Sequence, residues 1–384
     1  MSNKIKWVIG IIVLIAIVWF GYLNKTNNSD TSNETIKIGY IGPMTGGVAI
    51  LGTEALGSIE VAVEKANANG GIDGKMIEII AEDDQYDTAK SVTAYEKLTK
   101  TDKVETIIMS TYGGVMAVAE KAKKDNVLII DSLDCDEDIA NLNDNIFCIA
   151  KETKDLADVI ADEAIKKGYK NIAIVHATND NFMQSVADAF VSRVGNKAVF
   201  QVESYTPQTT DFKTPLLKIK DKNVDAVVFL GYDEIGIAIK QAKELGLDKP
   251  YLTIPSVATT PSIQDASKGA IDGIYFSFYA PLETNPVATK FYQDFEAKFG
   301  HTPYVFVASD QAYDTAQILI NEVLPKVTGK TQEKRIAQKI DLLQDVKNYK
   351  GVTGNLTMKD DGRINGILIR LFQLENMTPV YVGN

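Results

Sequence analysis

IKIGYIGPMTGGVAILGTEALGSIEVAVEKANANGGIDGKMIEIIA, residues 36–81, holds the alternation that decides the fold. Ile36–Ile41 is a short apolar run. Ser58–Ala68 places Ile59, Ala62, Val63 and Ala66 on one face at helical spacing, and Met76–Ala81 is a second apolar run. The glycines between Gly70 and Gly74 read as the turn that ends the helix, not as a phosphate cradle. Outward from there the pattern repeats, with apolar runs at Glu105–Met109, Val127–Ile130, Asn171–His176, Ala198–Glu203, Asp225–Leu230 and Tyr251–Ile254, separated by amphipathic stretches. Continuous Val/Ile-rich strands alternating with helices imply parallel sheets covered by helices on both faces. The spacing predicts about four or five strands before residue 150 and about five between 150 and 278. Two such doubly wound sheets mean two lobes. In the tail, Leu356–Met358 and Ile367–Phe372 flank Lys359-Asp360-Asp361-Gly362, a hairpin signal.

The first thirty-five residues read separately. Trp7–Leu23 is uncharged and preceded by Lys4 and Lys6. At about 1.5 Å per residue it reaches roughly 25 Å, enough to cross a bilayer core. It ends in Trp19-Phe20-Gly21-Tyr22, an interfacial aromatic belt, where a secretory signal would carry a small-residue cleavage site. The expectation is a single-pass membrane anchor with everything after it outside the cytoplasm, a cleaved signal peptide being the alternative. Asn24–Thr35 is polar and low in complexity, as a flexible tether would be.

Composition excludes several classes. The 384 residues are 45% hydrophobic and 24% charged, which is ordinary for a globular chain able to bury a large core. A net charge of −11 leaves no basic footprint for phosphates, so no nucleic-acid partner is expected. His176 and His301 are the only histidines and Cys135 and Cys148 the only cysteines, too few for a disulfide scaffold or a Cys-rich zinc site. The pair could close a loop of about fourteen residues, or Cys148 could serve as a small hydrophobe in a strand. No G-x-S-x-G, P-loop, H-E-x-x-H or C-x-x-C motif occurs. Cys135 sits among Asp131, Asp134, Asp136, Glu137 and Asp138, and negative neighbours raise a thiol's pKa. That acidic run lacks the Gly and Glu of a calcium loop, with Ile139 and Asn145 standing in their places, and reads as a solvated loop. The expectation is therefore no enzyme, no cofactor and no metal.

Three fragments carry a resemblance. Ile36–Gly46, then Asn67–Gly74, then Asp83-Asp84 resemble the opening of the leucine/isoleucine/valine-binding family of type I solute-binding proteins. Ala308–Asp314 is similar to the family's helix near the second hinge region, and Gly351–Met358 with Asp361-Gly362 to its closing segment. The resemblance spans roughly residues 36–384 and implies two α/β lobes joined by three hinge segments near residues 150, 277 and 352. The lobes would then be 36–149 plus 278–351, and 150–277 plus 352–384, with residues 1–35 as anchor and tether.

In open α/β sheets ligands sit beyond the carboxyl ends of the strands, so two lobes meeting there enclose a cleft. The resemblance implies a ligand carboxylate at the loop Ser110–Gly114, with Thr111, Tyr112 and Gly113 as candidates and the register open by one residue. It further implies ligand contacts from Leu133, Asp134 and Cys135, from Leu51, from the turn holding Asn181 and Phe182, from Tyr232, and from Pro255 and Ser256. One departure bears on specificity. Relatives that bind α-amino acids carry an acid in the loop where this chain has Pro255-Ser256-Val257. Asp134 or Asp233 would have to substitute, and other small carboxylates, amides or peptide-like solutes stay open. The implied role is capture of a small ligand for an ABC permease and its ATPase, the alternative being a ligand-sensing ectodomain that acts through a separate receptor.

Overall fold

The computed structural model describes residues 35–258, 260–279 and 285–382; the expected anchor, Trp7–Leu23, lies outside the described residues. Five parallel strands build the first lobe's sheet: β1 (Ile36–Gly42), β2 (Ile77–Asp83), β3 (Thr106–Met109), β4 (Leu128–Asp131) and β5 (Ile146–Cys148), in the order β2-β1-β3-β4-β5. Their residues are buried on both faces wherever helices cover them, as the apolar runs require. The helix Ala49–Ala68 begins nine residues before the amphipathic stretch that announced it. Gly52 makes that possible, since a Cβ there would stand 2.0 Å from the Pro43 carbonyl oxygen.

The second lobe repeats the plan. β6 (Asn171–Ala177), β7 (Val199–Tyr205), β8 (Ala226–Leu230), β9 (Tyr251–Thr253) and β10 (Tyr275–Tyr279) run parallel in the order β7-β6-β8-β9-β10. The tail then adds β11 (Tyr349–Lys350), β12 (Gly354–Met358) and β13 (Ile364–Ile367) as a small antiparallel sheet, followed by β14 (Ile369–Glu375) and β15 (Thr378–Tyr381). β14 pairs antiparallel with β10 and β15 with β14, and together they extend the second sheet to seven strands.

The chain first crosses between β5 and the helix Thr153–Lys166, near the expected residue 150, and again between β10 and the helix Pro286–Phe299. The third crossing falls later than residue 352. Val352, Leu356, Met358 and Ile364 pack into the first lobe's core with Phe291 and Tyr313, and the chain joins the second sheet only at Ile369. The turn between β12 and β13 is also tied to the first lobe, Cys148 N donating to Gly362 O at 2.9 Å.

Candidate functional site

Both sheets end their parallel strands at one cavity between the lobes. From the first lobe it is lined by Leu51, Tyr86, Leu133, Asp134, Val305 and Val307, from the second by Phe182, Met183, Tyr232, Ile254 and Pro255, and from the first crossing and the helix after it by Lys151 and Leu156. The walls are mostly apolar. Small-molecule sites have this character, a greasy concavity with few convergent polar groups.

Each polar group is held by local structure. Tyr86 follows β2 in a loop pinned by two acids. Asp83 accepts hydrogen bonds from Met44 N (2.8 Å) and Gln85 N (3.0 Å), while Asp84 accepts from Tyr86 N (2.9 Å) and Ser91 Oγ (2.7 Å). Gln85 and Tyr86 are both left-handed, at φ of 55° and 59°, a conformation that these bonds must sustain. The loop so shaped carries Tyr86 across the cleft to Tyr232, whose hydroxyl donates to Tyr86 Oη at 3.4 Å, with the rings edge-to-face at 6.1 Å between centroids. Burial pushes both phenols up, so both remain O–H groups at neutral pH. Phe182 is set by the helix Asn181–Val194, whose first turn is capped by Asp180 accepting from Met183 N at 2.9 Å.

The floor is an ion pair. Lys151 Nζ donates to Leu133 O at 2.6 Å and to the Asp134 carboxylate, and lies 5.3 Å from the centroid of the Phe182 ring. Gln311, wholly buried in the helix Phe306–Ile318, fixes this corner. It accepts from Lys151 N at 2.6 Å and from the Tyr279 hydroxyl, and donates to Leu133 O at 3.1 Å. One side chain thereby joins the β4 loop, the first crossing and the end of β10. Asp131 stands behind Asp134, accepting from Leu133 N and Asp134 N. Burial, reinforced by the Asp134 charge, pushes its carboxyl well up, and burial raises Asp134 too while the Lys151 ammonium opposes the rise.

Leu51, Leu133, Asp134, Phe182, Tyr232 and Pro255 thus meet on one cavity, and Ser256 follows in the helical turn Pro255–Ala258. The structure does not bring the other expected residues to its wall. Thr111 and Tyr112 are buried, the first hydrogen-bonded to Asp84 and the second donating to Asp138 at 2.9 Å, and Gly113 lies beside Thr88. These hydroxyls bond to the protein's own acids, the buried Asp84 and the exposed Asp138. Cys135 lies in the first-lobe core with Cys148, both as free thiols, and Asn181 is exposed. The acidic run is solvated only in part: Glu137 and Asp138 are exposed, but Asp134 is turned in to Lys151 and Asp136 accepts from Thr153 N. Asp233 is half-buried and hydrogen-bonded to Ser262, away from the cavity lining. No cluster of metal-ligating side chains occurs among the described residues.

Two α/β lobes joined by crossing segments, with their strand ends converging on an apolar cavity, define a protein that binds a small molecule between its lobes. The chain belongs to the periplasmic binding protein family, whose match covers residues 35–376. That family is one of solute-binding proteins, not enzymes, and the match bears out the resemblance to the leucine/isoleucine/valine-binding group. Leu/Ile/Val-binding protein homolog 3 of Brucella melitensis is 25% identical over 347 residues, 89% of this chain and 92% of that one. The leucine-, isoleucine-, valine-, threonine- and alanine-binding protein of Pseudomonas aeruginosa is 24% identical over 348 residues, 88% of this chain and 90% of that one. Among solved structures, the branched-chain amino acid transporter substrate-binding protein LivJ of Streptococcus pneumoniae, in complex with isoleucine, matches at a TM-score of 0.79 and 24% identity, covering 91% of this chain and all of that one (100%). An R. palustris solute-binding protein in complex with 4-hydroxybenzoate matches at a TM-score of 0.80 and 21% identity, covering 91% of this chain and 96% of that one.

Proposed function

We propose that this protein captures a small carboxylate-bearing solute, an amino acid or a related acid, between its lobes outside the cytoplasm and delivers it to an ABC permease. The observation that carries the reading is a cavity walled from both lobes, with Tyr86 of the first meeting Tyr232 of the second. A ligand that touches both walls favours the closed arrangement by the difference in contact it makes there, so ligand occupancy and lobe position are coupled. Closure presents a permease with a surface that reports occupancy. Trp7–Leu23 anchors the binding domain to the membrane it serves, through the tether that follows. The match of the isoleucine-bound and 4-hydroxybenzoate-bound structures supports a ligand of this size and chemistry. Native mass spectrometry of the folded protein should find a co-purifying small acid, and readdition to the stripped protein should reduce the radius of gyration in X-ray scattering. A bound solute that leaves the scattering profile unchanged would refute lobe closure. A neighbouring gene for a permease and ATPase favours delivery; one for a histidine kinase favours a sensing role.

A further inference from the structure

The chain's only two cysteines, Cys135 and Cys148, meet in the core of the first lobe, away from the cavity lining. Both are wholly buried, and Cys148 shares a side-chain hydrogen bond with Cys135. The backbone puts them there. Cys148 ends β5 opposite Asp131, the last residue of β4. After Asp131 the chain turns at once, because Asp131 Oδ1 accepts from Leu133 N at 2.9 Å and from Asp134 N at 3.1 Å. Cys135 then stands between two residues tied to the segment that follows Cys148: Asp134 pairs with Lys151, and Asp136 accepts from Thr153 N at 2.6 Å. A buried residue touches roughly ten others, so a second cysteine placed at random in 384 residues would be among them only about 3% of the time.

We propose that Cys135 and Cys148 are joined by a disulfide in the mature protein, and that the bond is made during folding, before the first lobe closes over it. This rests on the extracytoplasmic placement in the solute-binding reading, since disulfides persist in oxidising compartments. The oxidant is itself a disulfide, that of a thiol oxidoreductase or of a small-molecule counterpart. One cysteine, as thiolate, attacks a sulfur of that disulfide; the oxidant's S–S bond breaks, one oxidant thiolate leaves, and a mixed disulfide forms. The second cysteine attacks the mixed bond at the first cysteine's sulfur and expels the other oxidant thiolate. The pair thereby gives two electrons to the oxidant, and its two protons end on the two released thiolates. The timing follows from burial. In the folded lobe neither sulfur is open to a reagent, and burial, reinforced by Cys135 and by the Asp131 and Asp136 charges, pushes the Cys148 thiol well up, which suppresses the attacking thiolate. Before closure that cover is missing. Cys148 N donates to Gly362 O at 2.9 Å and Cys148 bridges to Arg363, in a hairpin turn that comes far later in the chain. Once made, the bond joins two segments already held together by Asp134–Lys151 and Asp136–Thr153, so it constrains the unfolded chain without moving the folded one.

The test begins with the full-length protein as exported by its host, denatured without reductant and alkylated. Neither cysteine should take the label until reductant is added, and the unreduced digest should hold a peptide containing Cys135 linked to one containing Cys148. Labelling of both cysteines without reductant, or links between chains in place of that one, overturns the inference. A second arm refolds the denatured, reduced protein either with a mixture of oxidised and reduced glutathione or with reductant alone. The glutathione sample should regain the linked peptide and unfold with an equilibrium constant about a hundredfold smaller, a melting temperature about 4 °C higher for a chain of this size. Oxidised glutathione added to the reduced protein after it has folded should make the bond about tenfold more slowly, or slower still. Equal rates refute the timing, and equal melting of the two refolded samples refutes the cross-link as a stabiliser. Both arms use the parent sequence, so no variant has to fold. The solute-binding reading is decided separately, by the co-purifying ligand and the scattering change: a protein that binds and closes with two free thiols fails this inference alone.

Discussion

Asp314 ties the closing segment to the first lobe, and its removal makes a quantitative test of how that segment is held. The carboxylate, 1% exposed in the helix Phe306–Ile318, accepts from Val352 N at 2.7 Å, Thr353 N at 2.9 Å and Thr353 Oγ1 at 2.7 Å. Gly351 is required beside it, because a Cβ there would stand 2.5 Å from a carboxylate oxygen. Asp314→Ala leaves those three donors without their acceptor, at roughly 1–3 kcal/mol each, so the expected loss is at least about 3 kcal/mol. A second arm uses pH. Burial raises the Asp314 carboxyl from 3.8 to about 6. A group whose pKa is higher in the fold than in the unfolded chain adds stability below its unfolded pKa, and that addition is lost as pH rises through the folded value. At this position the parent therefore gains as pH falls from 7 towards 4, by about 2 kcal/mol, a gain that Asp314→Asn cannot share. Urea unfolding followed by circular dichroism, on parent, Asn and Ala variants at pH 7 and pH 4, reads both numbers. A loss below about 1 kcal/mol for Ala, or a parent–Asn gap that is constant or narrower at pH 4, would refute the reasoning.

Three further outcomes are expected. Tyr232→Ala and Tyr86→Ala should each weaken binding of the co-purifying ligand about ten- to hundredfold in calorimetry, each removing an aromatic wall and a hydroxyl, and parent-like affinity in both would displace the site. Lys339, buried and donating to Thr106 at 2.8 Å, has its pKa lowered by burial to about 8, so the unfolded chain holds this proton longer. Its contribution to stability should rise between about pH 8 and 10.5, by roughly 3 kcal/mol, and Lys339→Met should abolish that rise in thermal melts. Gly52→Ala, which drives a methyl onto Pro43 O, should cost about 1–3 kcal/mol in chemical denaturation, and a neutral result would mean that the helix start can shift.

The strand–helix alternation was legible because it is local: each apolar run in residues 36–254 announces a strand without reference to any other. The start of the helix Ala49–Ala68 was not, because its apolar face at helical spacing is plain only from Ser58 onward, and the close approaches of Gly52 to Pro43 and Gly57 to Phe299 exist only in the fold. The late third crossing was hidden for a similar reason, since Val352, Leu356 and Met358 are apolar enough for either lobe and only packing assigns them. At the site, Leu133, Asp134, Tyr232 and Pro255, which the resemblance implied, lie just past strand ends, where ligands of open α/β sheets gather. Tyr86 needed two successive left-handed residues, which no local pattern signals. Lys151 was not singled out, although a cation directly after the buried residues 146–150 was itself a signal. Thr111 and Tyr112 misled because their hydroxyl partners, Asp84 and Asp138, are remote in sequence.

The late third crossing sets the order in which the molecule can assemble. The five parallel strands of the second lobe are contiguous in the chain, from Asn171 to Tyr279. The first lobe is split: Glu54 accepts from Tyr304 N across 250 residues, Lys339 reaches Thr106 across 233, and Leu356 and Ile364 fill a core begun at Ile38. A chain emerging amino end first therefore presents its first five strands long before the helices and hairpin that cover them. Loop closure over such separations is slow, and uncovered strands are prone to aggregate meanwhile. The five parallel strands of the second lobe are free to fold together during emergence, with β14 and β15 added last at the edge of their sheet, while the first lobe must wait for almost the last residue of β13. Maturation of the ligand site, which needs both, is thus timed by the carboxyl-terminal tail, and a truncation before Ile364 should forfeit the first lobe while sparing much of the second.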